Sequence, residues 1–184
     1  MKKNLFVSFL YLIALCTLSA CDPEGSAEVP CSDDPTAVTM AYMIYNGDIY
    51  ENGTTCCALS LGTDEGIITI VEFQREAMSY DTFKEDFSGT WCSTQDSTGY
   101  AAGTANLGWV VEYIGNVYPQ GSYIYYPDES YMLADASVLL DIKADREGTY
   151  TINLTLASTS SDCIVYDVKN IAITPTNGTI DEDE

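Results

Sequence analysis

Between Val38 and Ile173 apolar and polar positions alternate with period two, and no sustained helical period competes with it. Met40, Tyr42 and Ile44 share one face of a first strand, and Cys57, Leu59 and Leu61 one face of a second. Asn46-Gly47-Asp48 and Glu51-Asn52-Gly53 read as turns, as does Thr63-Asp64-Glu65-Gly66. The last precedes a β-branched run over 67–73, and the spacing predicts a hairpin. Residues 74–87 are the only candidate for a helix, but their apolar positions hold no clean face, so a loop or short helix is expected. Strands are expected at 89–93 and 107–118, separated by a loop rich in small residues over 95–106. Pro119-Gln120-Gly121 then leads into 122–126. Val138, Leu140 and Ile142 mark one face of a strand over 136–144, and a turn over 145–148 returns the chain into 149–157. There Tyr150, Ile152, Leu154 and Leu156 alternate with polar residues, the pattern of a half-buried strand. The last strand changes phase between Val168 and Ile171, as a β-bulge requires. Eight to ten short strands at this spacing predict an all-β fold, an antiparallel two-sheet β-sandwich, with a closed, lipocalin-like β-barrel as the alternative.

The first twenty residues follow another logic. Lys2 and Lys3 precede an apolar stretch over 5–18, shorter than the ~20 residues a membrane span needs, and it ends in small residues. Leu18-Ser19-Ala20-Cys21 resembles the lipobox of bacterial lipoprotein precursors. The resemblance implies cleavage before Cys21, diacylglycerol on its thiol and acylation of the new amine. The expected organisation is a lipoprotein signal peptide over 1–20, a lipidated cysteine and acidic tether over 21–36, one β domain over 37–176 and an acidic tail over 177–184. As a flexible coil the tether would hold the domain roughly 20 Å from the membrane.

Charge narrows the partners. Losing residues 1–20 removes two lysines and no acid, leaving five basic residues against 28 acidic ones, a formal charge of −23. Nucleic acid, which needs a basic footprint, is excluded as a partner. With no histidine, Ser-His-Asp, Cys-His and His-zinc chemistry are unavailable, and only carboxylate-based hydrolysis stays open. No cofactor is implied, and calcium, which the many carboxylates would allow, has no binding motif. Five cysteines remain beyond Cys16 and Cys21: Cys31, Cys56, Cys57, Cys92 and Cys163. The odd number leaves at least one thiol unpaired, and the spacing does not set the connectivity. Cys56 and Cys57 project to opposite faces of a strand and are expected as buried small hydrophobes, with one bridge elsewhere. Cys31 either pins the tether to the domain or is the odd thiol.

YNGDIYENGT (45–54), PQGSY (119–123) and GTYTI (148–152) resemble a recurring domain of Bacteroidota cell-surface lipoproteins. The resemblance implies a lipid-anchored outer-membrane protein displayed at the cell surface. The aspartate after the lipidated cysteine, Asp22, resembles a retention signal of enteric sorting and keeps a periplasm-facing lipoprotein as the alternative. Asp96-Ser97-Thr98 resembles the O-glycosylation motif of the same phylum. The expected function is a non-catalytic surface binding or accessory domain for a glycan or a protein, with Trp109, Tyr123 and Tyr125 as candidate ligand contacts, since aromatic faces stack on sugars. The alternatives are a structural subunit of an envelope complex and a carboxylate-based hydrolase.

Overall fold

The computed structural model describes Cys31 and residues 37–93, 101–146, 148–160 and 162–178. These form strands β1 (Val38–Ile49), β2 (Thr54–Thr63) and β3 (Ile68–Glu76), a single-turn helix α1 (Tyr80–Phe83), and β4 (Gly89–Cys92). Then come β5 (Trp109–Tyr113), β6 (Asn116–Gln120), β7 (Tyr123–Tyr125), β8 (Tyr131–Leu133), β9 (Ser137–Ala144), β10 (Thr149–Ala157) and β11 (Cys163–Asn177). Nine of them make one sheet in the order β4-β9-β10-β11-β1-β2-β3-β7-β8, while β5 and β6 form a separate ribbon. β1 and β11 run parallel, and the other named pairings are antiparallel.

The large sheet curls until β3 and β4 flank the same short segment. On the β3 side Gln74 N–H donates to the Thr104 carbonyl and Asn106 N–H to that of Glu72, both at 2.8 Å. On the β4 side Ala105 N–H donates to the Cys92 carbonyl at 3.0 Å. Two halves of one sheet thus face each other across one core, and the expected all-β sandwich is built by curling rather than by stacking two large sheets. Leu59, Leu61, Val71 and Phe73 from one half pack in one cluster with Leu140, Ile152 and Leu154 from the other. Polar contacts also cross that core: the hydroxyls of Thr69 on β3 and Tyr166 on β11 lie 2.6 Å apart.

The hairpin β2–β3 and the faces of β9 and β10 are as the alternation predicts, and the bulge in β11 falls between the residues paired with Tyr150 and Ile152. Other elements differ. In β1 the core face is Ala41, Met43 and Tyr45, while Met40 and Tyr42 are exposed. The strand is apolar on both faces, so alternation alone could not choose. Asn46-Gly47-Asp48 is not a turn: β1 continues to Ile49 through a register shift, with Gly47 at φ +77°. Residues 107–118 are not one strand but a hairpin, reversed at Ile114 and Gly115, whose φ angles are +50° and +75°. Pro119 and Gln120 belong to β6, and β8 has no counterpart among the expected strands. The 74–87 stretch lacks an amphipathic face because it is a plug. Its first three residues finish β3, then Phe83 and Phe87 insert into the core, with Phe83 5.2 Å from the Tyr45 ring and Phe87 5.5 Å from Tyr150 (centroid distances).

Cys31 is disulfide-bonded to Cys163, so it pins the chain preceding the domain and is not the odd thiol. The two cysteines are 132 residues apart in sequence. Cys92 is disulfide-bonded as well. Cys56 and Cys57 are both buried and outside any disulfide, where at least one unbridged thiol is expected. Burial, the largest influence, pushes the Cys57 thiol up to about 12, with Arg75 pulling it down and Cys56 adding to the rise.

Candidate functional site

The ribbon β5–β6 stands outside the core: none of its residues joins the core cluster, and nine of its ten are exposed. Cross-strand pairs place Trp109 and Gln120, Val111 and Tyr118, and Tyr113 and Asn116 on one face. Val110, Pro119, Glu112 and Val117 form the other. Exposure reaches 67% at Tyr113 and 80% at Ile114 at the tip. An isolated two-stranded ribbon is marginal in water, so its attachment decides whether it holds a shape.

That attachment is made of close backbone approaches. A Cβ on Gly108 would overlap the Ser122 carbonyl, and one on Gly121 would overlap both the Leu107 carbonyl and the Trp109 ring. Gly121 also sits at φ +72°, a conformation other residues rarely adopt. The Trp109 ring therefore rests against bare backbone, with 45% of the residue still open to solvent. Ser122 Oγ donates to the Asn106 carbonyl at 2.6 Å, and Gly108 N–H to the Ala134 carbonyl at 3.0 Å. Glu72 reaches both ends of the arm: its carboxylate accepts from Asn106 Nδ2 at 3.4 Å and from the Gly121 N–H. Burial raises the Glu72 carboxyl above the usual carboxylate range, and these two donors offset only part of that.

Of the three aromatic residues singled out in the sequence, Trp109 lies on this arm. Tyr123 and Tyr125 lie on β7 in the large sheet, sharing the face opposite the buried Ile124 and half-buried themselves. Trp109 thus belongs to the separate ribbon and the two tyrosines to the large sheet. Tyr113 and Tyr118 share the face of Trp109, an arrangement that a single strand over 107–118 does not predict; Gly115 inside that run is the signal for the reversal. Trp91 is a core residue, its Nε1 donating to the Gln74 carbonyl at 3.0 Å.

A second concavity, an open cleft of about 600 Å³, lies between β8 and the β10–β11 turn. Tyr126, Tyr131, Asp135 and Asp162 line it together with Ser158 and Thr159. Asp135 is occupied: its carboxylate accepts from Thr159 N and Oγ1 at 2.7 Å each and from Ser158 Oγ at 3.0 Å. Partial burial raises its carboxyl, but those hydrogen bonds outweigh burial and hold it below the usual range. Its role is to fix the turn. Among the described residues no group of three or more acidic or cysteine side chains is placed to hold a metal ion. Cys21, its lipobox Leu18, Ser19 and Ala20, and the Ser97 and Thr98 motif lie outside the described residues. No family model, curated protein or solved structure matches the chain.

Proposed function

We propose that this chain is a lipid-anchored envelope lipoprotein, displayed on the outer membrane, whose β domain is a non-catalytic binding or accessory module working through the β5–β6 arm. The observation that carries the reading is the arm itself. Trp109, Val110, Val111, Tyr113, Ile114, Val117 and Tyr118 are all exposed within ten residues of chain, on an element that adds nothing to the core. Contiguous apolar surface of this kind marks a contact site. The anchor rests on the lipobox resemblance at Leu18, Ser19, Ala20 and Cys21. With Cys31 bonded to Cys163, the tether outside the domain shortens to the residues between Cys21 and Cys31, a reach of roughly 15–20 Å as a flexible coil.

Peptide mapping of protein from its native membrane tests the anchor. The reading expects a mature chain that begins at a diacylglyceryl-modified, N-acylated Cys21; an unmodified Cys21 or a retained 1–20 segment overturns it. A photo-crosslinker at Ile114, compared with one at the exposed Asp64 of the β2–β3 turn, tests the arm on intact cells. Adducts are expected from Ile114 alone, and equal labelling at both sites rejects the arm as the contact.

A further inference from the structure

We infer that the Trp109 face of the arm is a platform for a neutral carbohydrate, an inference that rests on the arm being the contact site. Trp109, Tyr118 and Tyr113 alternate across the two strands, with Tyr118 opposite Val111 and so diagonal to both other rings. Diagonal cross-strand neighbours stand about 7–8 Å apart, close enough for successive rings to meet one extended ligand. The polar groups between the rings are the Asn116 and Gln120 amides and the two tyrosine hydroxyls. Each both donates and accepts hydrogen bonds, as sugar hydroxyls require. Trp109 is pre-oriented: Gly121 backs its ring with no side chain of its own, while the residue stays half open to solvent. A ring held against backbone loses little freedom when a flat, C–H-rich face stacks on it.

Charge selects the ligand class. In a chain of net charge −21, this face carries no ionisable group apart from its tyrosines, and the arm's single charge, Glu112, projects from the opposite face. An anionic ligand meets the repulsion of the whole domain, and a cationic one finds no carboxylate on this face. Size argues against a protein partner. A stable protein interface takes about 20–30 residues from each side. This face offers six side chains. That suits a short run of sugar rings.

The test uses the full chain in nanodiscs, titrated with laminarihexaose, cellohexaose, mannohexaose and xylohexaose, with polygalacturonate as the anionic control. Binding of at least one neutral oligosaccharide is expected, with Trp109 protected from acrylamide quenching. W109A should weaken it roughly tenfold or more, Y118A less and Y118F, which keeps the ring but loses the hydroxyl, less still, while the opposite-face variant E112Q stays near the parent. Thermal melts of each variant separate lost binding from lost folding. If no neutral sugar binds, or only polygalacturonate does, the inference falls. Should Ile114 crosslink to a protein in that case, the arm stands as a contact site and only its ligand class is overturned. If neither sugar binding nor an Ile114 adduct is found, both readings fall.

Discussion

The side-chain amide of Gln74 is fully buried, and neither its Nε2 nor its Oε1 has a hydrogen-bond partner. An unsatisfied buried polar group costs about 1–3 kcal/mol, so Gln74→Met, which keeps the length and removes the amide, should raise stability by about 1–2 kcal/mol in urea unfolding. No loss of backbone bonding is expected, because Gln74 holds the seam through its main chain. Glu72 makes a prediction about pH. Its native carboxyl titrates above the unfolded one, so its contribution to stability is complete below the ordinary glutamate value and is lost as pH rises through the native value. Glu72→Gln should therefore melt at a higher temperature than the parent at pH 7, with the gap closing near pH 4. Asp135 has the opposite sign, its contribution being present above the ordinary aspartate range and lost as pH falls through its native value. At this scale the sequence was legible where geometry is local. That Cys56 and Cys57 take opposite faces follows from strand pleating, but that both faces of β2 are buried there does not.

Among elements, the arm departs furthest from the sequence reading. Ile114 occupies the first of two left-handed positions in its turn, at φ +50°, where a β-branched residue is strained and asparagine is favoured. Ile114→Asn, giving an Asn-Gly turn, should stabilise the arm by about 1 kcal/mol, read as slower hydrogen exchange at Val111 and Tyr118. Should Ile114 contact the ligand, the same variant should bind more weakly while folding better, which would explain why an isoleucine stands there. The plug over 74–87 illustrates the converse. Its phenylalanines fill the end of a curled sheet, so their spacing answers to the shape of that opening and not to a helical repeat.

For the molecule as a whole, the Cys31–Cys163 bridge closes 132 residues of chain, nearly the entire domain. Replacing both cysteines by serine should lower the unfolding free energy by about 2–5 kcal/mol, measured against the parent without reductant. The net charge of −21 predicts that stability grows with salt. Raising ionic strength from 0.01 to 0.15 M shortens the screening length from about 30 to about 8 Å, and the melting temperature should climb over that range. The sequence by itself determined the fold class, the hairpin β2–β3, the core faces of β9 and β10, the bulge in β11 and the absence of histidine chemistry. Each depends on neighbours one or two residues away, or on composition. Tertiary structure alone decided which face of β1 turns inward, that one sheet curls into both layers, and that Trp109 shares a ribbon face with Tyr113 and Tyr118. Those outcomes depend on what the rest of the chain brings opposite each strand, which period-two alternation does not encode.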